Sequence, residues 1–97
     1  MARYITLISF TEQGIKTIGE WDKRLANGRR MLEESGGRLV DAYLTFGPYD
    51  AVVITEAKDD DAALRDALRY GLAGNGRSVT MRAFTEAEAV RVAKSIA

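Results

Sequence analysis

Neither cysteine nor histidine occurs anywhere in the 97 residues. Without cysteine there is no disulfide framework, no thiolate nucleophile and no thiolate metal site. Without histidine the chain lacks the usual zinc and haem ligand and the usual proton shuttle at neutral pH. No bound metal is therefore expected and no cofactor is assigned; any catalysis would rest on carboxylates, tyrosine, lysine, arginine or an imported cofactor. Excess charge is missing too: 14 Lys and Arg stand against 14 Asp and Glu. Nucleic-acid binders carry a basic surplus, so nucleic acid is not an expected partner. Long apolar runs are also absent. The opening Met1-Ala2-Arg3-Tyr4-Ile5 reads as neither signal peptide nor membrane span, so a cytoplasmic protein with no membrane partner is expected.

What is present suits one globular domain over residues 1–97, with 46% hydrophobic and 29% charged residues. A chain of this size buries only roughly 60–65% of its unfolded surface, so self-association would add usefully to its core. Tyr4 to Phe10 is rich in β-branched and aromatic types and predicts a first strand. Thr11 reads as the N-cap of a long helical region running to Ser35, weakened by glycines and broken near Gly19–Asp22. Arg38–Phe46 and Ala51–Ala57 are predicted strands around the turn Gly47-Pro48-Tyr49-Asp50, which holds the only proline. Asp59-Asp60-Asp61 opens the next helix, with Leu64, Ala67, Leu68, Gly71 and Leu72 as its apolar face. Gly74-Asn75-Gly76 stops it, Ser78–Phe84 is a fourth strand, and Thr85-Glu86-Ala87-Glu88 is a capping box. The last helix runs toward Ala97 with Ala89, Val92, Ala93 and Ile96 inward. This order predicts an α+β, ferredoxin-like βαββαβ fold with a C-terminal helix and a four-stranded antiparallel sheet.

Side chains alternate across a strand, so each strand can be sorted by face. Ile5, Leu7, Val40, Ala42, Leu44, Val52, Ile54, Val79 and Met81 form an aliphatic set, expected beneath the helices. The other set is mixed: Tyr4, Thr6, Ile8, Phe10, Asp41, Tyr43, Thr45, Ala51, Val53, Thr55, Ser78, Thr80, Arg82 and Phe84. It is expected on the open face, where its apolar members would form a patch that a second copy covers. That arrangement is of the dimeric α/β-barrel type, with a homodimer or higher oligomer as the expected assembly.

The segment Tyr43-Leu44-Thr45-Phe46-Gly47-Pro48-Tyr49-Asp50 resembles the signature of the GYD-domain family of small bacterial and archaeal proteins. Tyr4 to Ile15, Glu56 to Asp60, and Gly74 to Thr85 support the likeness, which spans nearly the whole chain. The chain departs from the pattern at Glu20-Trp21-Asp22-Lys23-Arg24, where a Ser-Pro pair is common, and at Gly76, where valine is more usual. The resemblance implies a dimeric α/β-barrel, ferredoxin-like fold and no generally established activity.

Several residues invite a chemical reading. On the expected open face, Tyr4, Thr6, Tyr43, Thr80 and Arg82 form a candidate small-ligand site, with Arg82 for an anionic group. Simple packing of two subunits is the competing reading of the same residues. Gly47, Tyr49 and Asp50 of the family turn place a phenol beside an acid, although turn formation and packing account for them as well. The aspartates at 59–61 suit helix capping better than a metal site. Trp21 reads as a core or interface plug, and Lys23-Arg24 with Arg29-Arg30 as a solvated helix face. The expected function is a homo-oligomeric structural or small-ligand-binding protein. A cofactor-independent oxygenase or isomerase is the alternative on fold analogy alone. An RNA module stacking bases on Tyr4 and Phe10 is a third, opposed by the charge balance.

Overall fold

A computed structural model describes residues 1–96. Strand β1 (Ala2–Phe10) leads into a short helix α1 (Glu12–Lys16), a 3₁₀ turn at Ile18–Glu20 and helix α2 (Trp21–Glu34). Strands β2 (Arg38–Leu44) and β3 (Ala51–Ala57) follow as a hairpin, then helix α3 (Asp60–Ala73), strand β4 (Gly76–Ala83) and helix α4 (Glu86–Lys94). The sheet order is β2-β3-β1-β4, and every neighbouring pair is antiparallel. This is the expected βαββαβ arrangement with its extra C-terminal helix. Of the expected final helix, Ala97 lies outside the described residues. No helix among the described residues is long and apolar enough to cross a membrane.

Local chemistry sets the element ends. Thr11 accepts from the Gly14 amide and Asp59 from the Ala62 amide, while Thr85 and Glu88 complete a reciprocal capping box. These contacts satisfy helix N–H groups that have no partner inside the helix. Gly74 closes α3 at φ +85°, a backbone conformation that costs glycine nothing. The turn before β4 is thus a helix stop, as its sequence indicates. Gly14 is needed for a different reason. A Cβ there would lie 1.8 Å from the Asn75 carbonyl oxygen, because the α1 start is pressed against the turn entering β4.

The two sheet faces are reversed from the expected assignment. Tyr4, Thr6, Ile8, Val53, Thr55, Ser78 and Thr80 lie beneath α2 and α3, and Tyr4 and Ile8 are among the few buried side chains. The aliphatic set, with Ile5, Leu7, Val52, Ile54, Val79 and Met81, therefore lines the uncovered face. Strand β2 departs from strict alternation through a bulge at Val40, between the Leu39–Thr55 and Asp41–Ile54 pairings. An extra residue inverts the facing of everything after it. Asp41 and Tyr43 consequently share the open face with Ile54 and Val52, while Ala42 and Leu44 share the covered face with Val53 and Ala51.

The helices are sorted differently from expectation as well. On α3 the inward residues are Ala63, Asp66, Ala67 and Tyr70, and Leu64, Leu68 and Leu72 point to solvent. Val92 on α4 and Ile96 just past its C-terminal end are exposed, and the helix makes only marginal contact with the rest of the chain. The compact core is correspondingly small: Tyr4, Ala57 and Ala62, with Ala2 and Ala63 packed around them. Among the described residues no large side chain is fully buried.

Candidate functional site

The covered face and the two helices above it do not close on one another. Helix α2 packs over β2 and α3 over β4 and β3, but the helices scarcely touch each other. A cleft of about 160 Å³ remains between them and the sheet. Its floor comes from Tyr4, Thr6, Ile8, Val53, Ser78 and Thr80. Its walls come from Trp21, Arg24, Leu25 and Met31 of α2 and from Asp66 and Tyr70 of α3. A mostly apolar recess with a few convergent polar groups is the usual form of a small-molecule site.

Three of the five expected ligand-site residues meet in this cleft, although on the other side of the sheet from that expected. The Thr6 and Thr80 hydroxyls are 3.2 Å apart on adjacent strands. The Tyr4 hydroxyl donates to the Asp60 carboxylate in the first turn of α3. That bond, with burial second, pushes the Tyr4 phenol up to about 12. Arg82 pairs with Tyr4 across β1 and β4, and its guanidinium lies 4.5 Å from the Phe84 ring and 5.8 Å from the Tyr4 ring. Tyr43 does not join them. It stands half-exposed on the opposite face, where its hydroxyl donates to Asp41 and that bond raises its pKa.

The family turn is held as a structural tie. Gly47 has φ +117°, which glycine adopts readily. The Thr45 amide donates to the Asp50 carbonyl (2.8 Å), and the Thr45 hydroxyl to the Tyr49 carbonyl (2.6 Å). The Asp50 carboxylate accepts from the Phe10 amide at 2.8 Å, and the Asp50 amide donates to the Ile8 carbonyl at 2.8 Å. Asp50 thus binds the end of β1 rather than the turn's own amides, and the Tyr49 hydroxyl is not its partner. Phe46, at the tip of this hairpin, is 94% exposed.

Arg24 is the residue that sequence reasoning misplaced most. Its run of basic neighbours suggests a solvated face, yet it turns inward from α2. Its guanidinium stacks 5.2 Å from the Phe10 ring and 5.4 Å from the Trp21 ring. One clue was present in the sequence: Trp21 precedes Arg24 by three positions, the spacing at which helix side chains meet. Tyr70 and Asp66 were also missed, because neither belongs to a recognisable motif. Burial raises the pKa of both; Arg24 opposes the rise at Tyr70, and the Ser35 hydroxyl opposes it at Asp66.

A family model for the GYD domain matches residues 4–93. The chain belongs to the GYD domain family. A relative from Thermus thermophilus is 30% identical over 91 residues, covering 93% of this chain and 96% of its own. It is named a glutamine synthetase and cystathionine beta-lyase binding protein. Among solved structures, a hypothetical protein from Pyrococcus horikoshii is similar with a TM-score of 0.59 at 19% identity, covering 89% of this chain and 93% of that one. A solved Thermus thermophilus structure is similar with a TM-score of 0.50 at 24% identity, covering 87% and 94%. At these identities the structural likeness concerns the fold.

Proposed function

We propose that this GYD-domain protein is a homo-oligomeric binding protein whose copies pair through the open sheet face and present their outer surfaces to a partner protein. The observation carrying this reading is the uncovered aliphatic face itself. Ile5, Leu7, Val52, Ile54, Val79 and Met81 form its centre, and Val79 and Met81 are 50% and 43% exposed. A monomer does not ordinarily leave so continuous an apolar surface in water.

Size considerations support a second copy as the cover. The accessible surface is 6523 Å², whereas a monomer of this length ordinarily shows about 5,500 Å². The excess, roughly 1,000 Å², is close to the ~800 Å² that each partner buries in a standard interface. The radius of gyration, 14.4 Å, likewise exceeds the ~12–13 Å of a compact single domain this long. Helix α4 points the same way, since a nine-residue helix is marginal without packing and its own chain supplies almost none. The rim suits self-pairing because both signs are present: Arg3 and Arg38 flank Glu56, and Asp41 lies on the neighbouring strand.

A protein as the further partner is the reading that the relative's name supports. The outer ridge of Leu64, Leu68 and Leu72, with Phe46 at the hairpin tip, remains exposed for such a contact. Sedimentation equilibrium tests the pairing. The parent chain should be dimeric or larger at micromolar concentration, and Val79→Glu with Met81→Glu should be a folded monomer. A monomeric parent chain would overturn the proposal.

A further inference from the structure

We propose that the cleft between the sheet and helices α2 and α3 binds a small organic carboxylate with a flat apolar body, and that Arg24 holds its carboxylate. The site lies on the opposite side of the sheet from the pairing face and does not depend on pairing.

The inference rests on an unbalanced charge. Arg24 Nη2 donates to the Gly14 carbonyl at 3.0 Å. Its Nε and Nη1 are buried and have no hydrogen-bond partner among the described residues. Among those residues no carboxylate lies within ion-pair distance of this guanidinium either. Leaving N–H groups of a charged side chain buried and unpaired is costly, and a folded protein tolerates it mainly where function requires it. Stacking on Phe10 and Trp21 compensates for part of the charge but accepts none of these hydrogens.

The acid nearest in the cleft is placed to serve another group. Asp66 lies 3.1 Å from the Ser35 hydroxyl, beyond the C-terminal end of α2. Eleven residues separate Ser35 from Arg24, about 16 Å along a helix. The cation therefore has its end of the cleft, which Tyr70 also lines, without a counter-charge among the described residues. An anion supplied from outside completes that end. The rest of the lining sets the remainder of the ligand. Ile8, Leu25, Met31 and Val53 are apolar, and Trp21 offers an aromatic surface. A cavity near 150 Å³ accommodates one benzene-sized ring, and this cleft measures about 160 Å³. Arginine is well matched to a planar carboxylate in geometry and charge.

Trp21 is the only tryptophan, so its fluorescence reports on the site. The full chain is titrated with benzoate, with its neutral analogue benzyl alcohol, and with inorganic phosphate. Benzoate should give a saturable change at concentrations at least tenfold below either comparator. Equal response to benzyl alcohol overturns the role of the carboxylate, and equal response to phosphate overturns that of the apolar body. Arg24→Leu should abolish the preference for benzoate and raise the thermal midpoint of the unliganded protein, because it removes the unpaired charge. The Arg24 Nε–H proton resonance of the parent chain provides a test that requires no variant: it should shift on adding benzoate, and an unmoved resonance overturns the assignment. Repeating the titration on Val79→Glu with Met81→Glu separates the two proposals, since benzoate binding should survive there.

Discussion

The covered face of the sheet carries Tyr4, Thr6, Thr55, Ser78 and Thr80, whereas the open face carries Ile5, Leu7, Val52, Ile54, Val79 and Met81. In an ordinary two-layer domain the helices lie over the more apolar side. Here they lie over the side with hydroxyls and bring Arg24, Asp66 and Tyr70 with them. The layer between sheet and helices is thus a cleft with polar fittings as much as a core. The better hydrophobic surface is left outward. A monomer does not ordinarily leave an aliphatic side so open to water, and under the two proposals above the faces have different tasks: association on one, ligand recognition on the other.

The sharpest way to break this contrast is to charge the open face. Two glutamates at positions 79 and 81 would be buried without partners in a sheet-on-sheet interface. An unpaired buried charge costs several kcal/mol, so self-association should weaken roughly 100-fold or more. Because both positions are half-exposed in the single chain, the secondary structure by circular dichroism should persist. If association survives the two glutamates, the interface lies elsewhere, with the Leu64–Leu68–Leu72 ridge as the next surface to charge.

On the covered face the largest effect should come from Tyr4→Phe. The change deprives Asp60 of its phenol donor beneath the start of α3. Hydrogen bonds to charged groups contribute about 1.5–3 kcal/mol, and urea denaturation should show a loss of that size with association unaltered. The same bond makes a pH prediction. Tyr4 holds its proton up to about 12 when folded and only to about 10 when unfolded. Its contribution is therefore complete below pH 10 and is lost as pH rises toward 12, because the unfolded chain releases the proton first. Tyr4→Phe should remove that part of the alkaline destabilisation. An unchanged alkaline limb would mean that the bond is not what raises the phenol.

Much of the fold was legible because its signals are local. Thr11, Asp59, Thr85 and Gly74 mark element ends through their own short-range hydrogen bonds or backbone freedom, and the strands follow from β-branched and aromatic runs. The facing of the elements was not legible in the same way. Alternation separates two sets of side chains but does not say which set the helices cover. The rule that the apolar set goes inside assumes a self-sufficient monomer. The bulge at Val40 adds a non-local cause, since it moves Tyr43 away from Tyr4 without a sequence mark as clear as glycine. The helix faces failed for the same reason: Leu64, Leu68 and Leu72 have ideal spacing for a buried stripe and are exposed nonetheless. The candidate site was thus half readable, with Tyr4, Thr6 and Thr80 brought together and Arg24, Asp66 and Tyr70 supplied by helix orientation.

The smallest expected effect belongs to the rim of the open face. Glu56 accepts from Arg38 Nε at 2.6 Å and from Arg3 Nη2 at 3.1 Å, and these two bonds, Arg38 first, hold its carboxyl below the usual range. Arg38 is largely exposed, so Arg38→Ala should cost only about 0.5 kcal/mol. The sign of its pH dependence identifies the mechanism. A carboxylate whose folded pKa is depressed stabilises the fold above its unfolded value, about 4.3, and that stabilisation is lost as pH falls through the lower folded value. The difference between Arg38→Ala and the parent should therefore be present at pH 7, shrink in high salt and vanish in acid once Glu56 is protonated. A deficit that persisted in acid would show that Arg38 acts by packing its stem over the sheet edge. In that case the rim would belong to the same apolar surface as Ile54 and Val52, and the boundary between the pairing patch and its charged border would have to move outward by one residue.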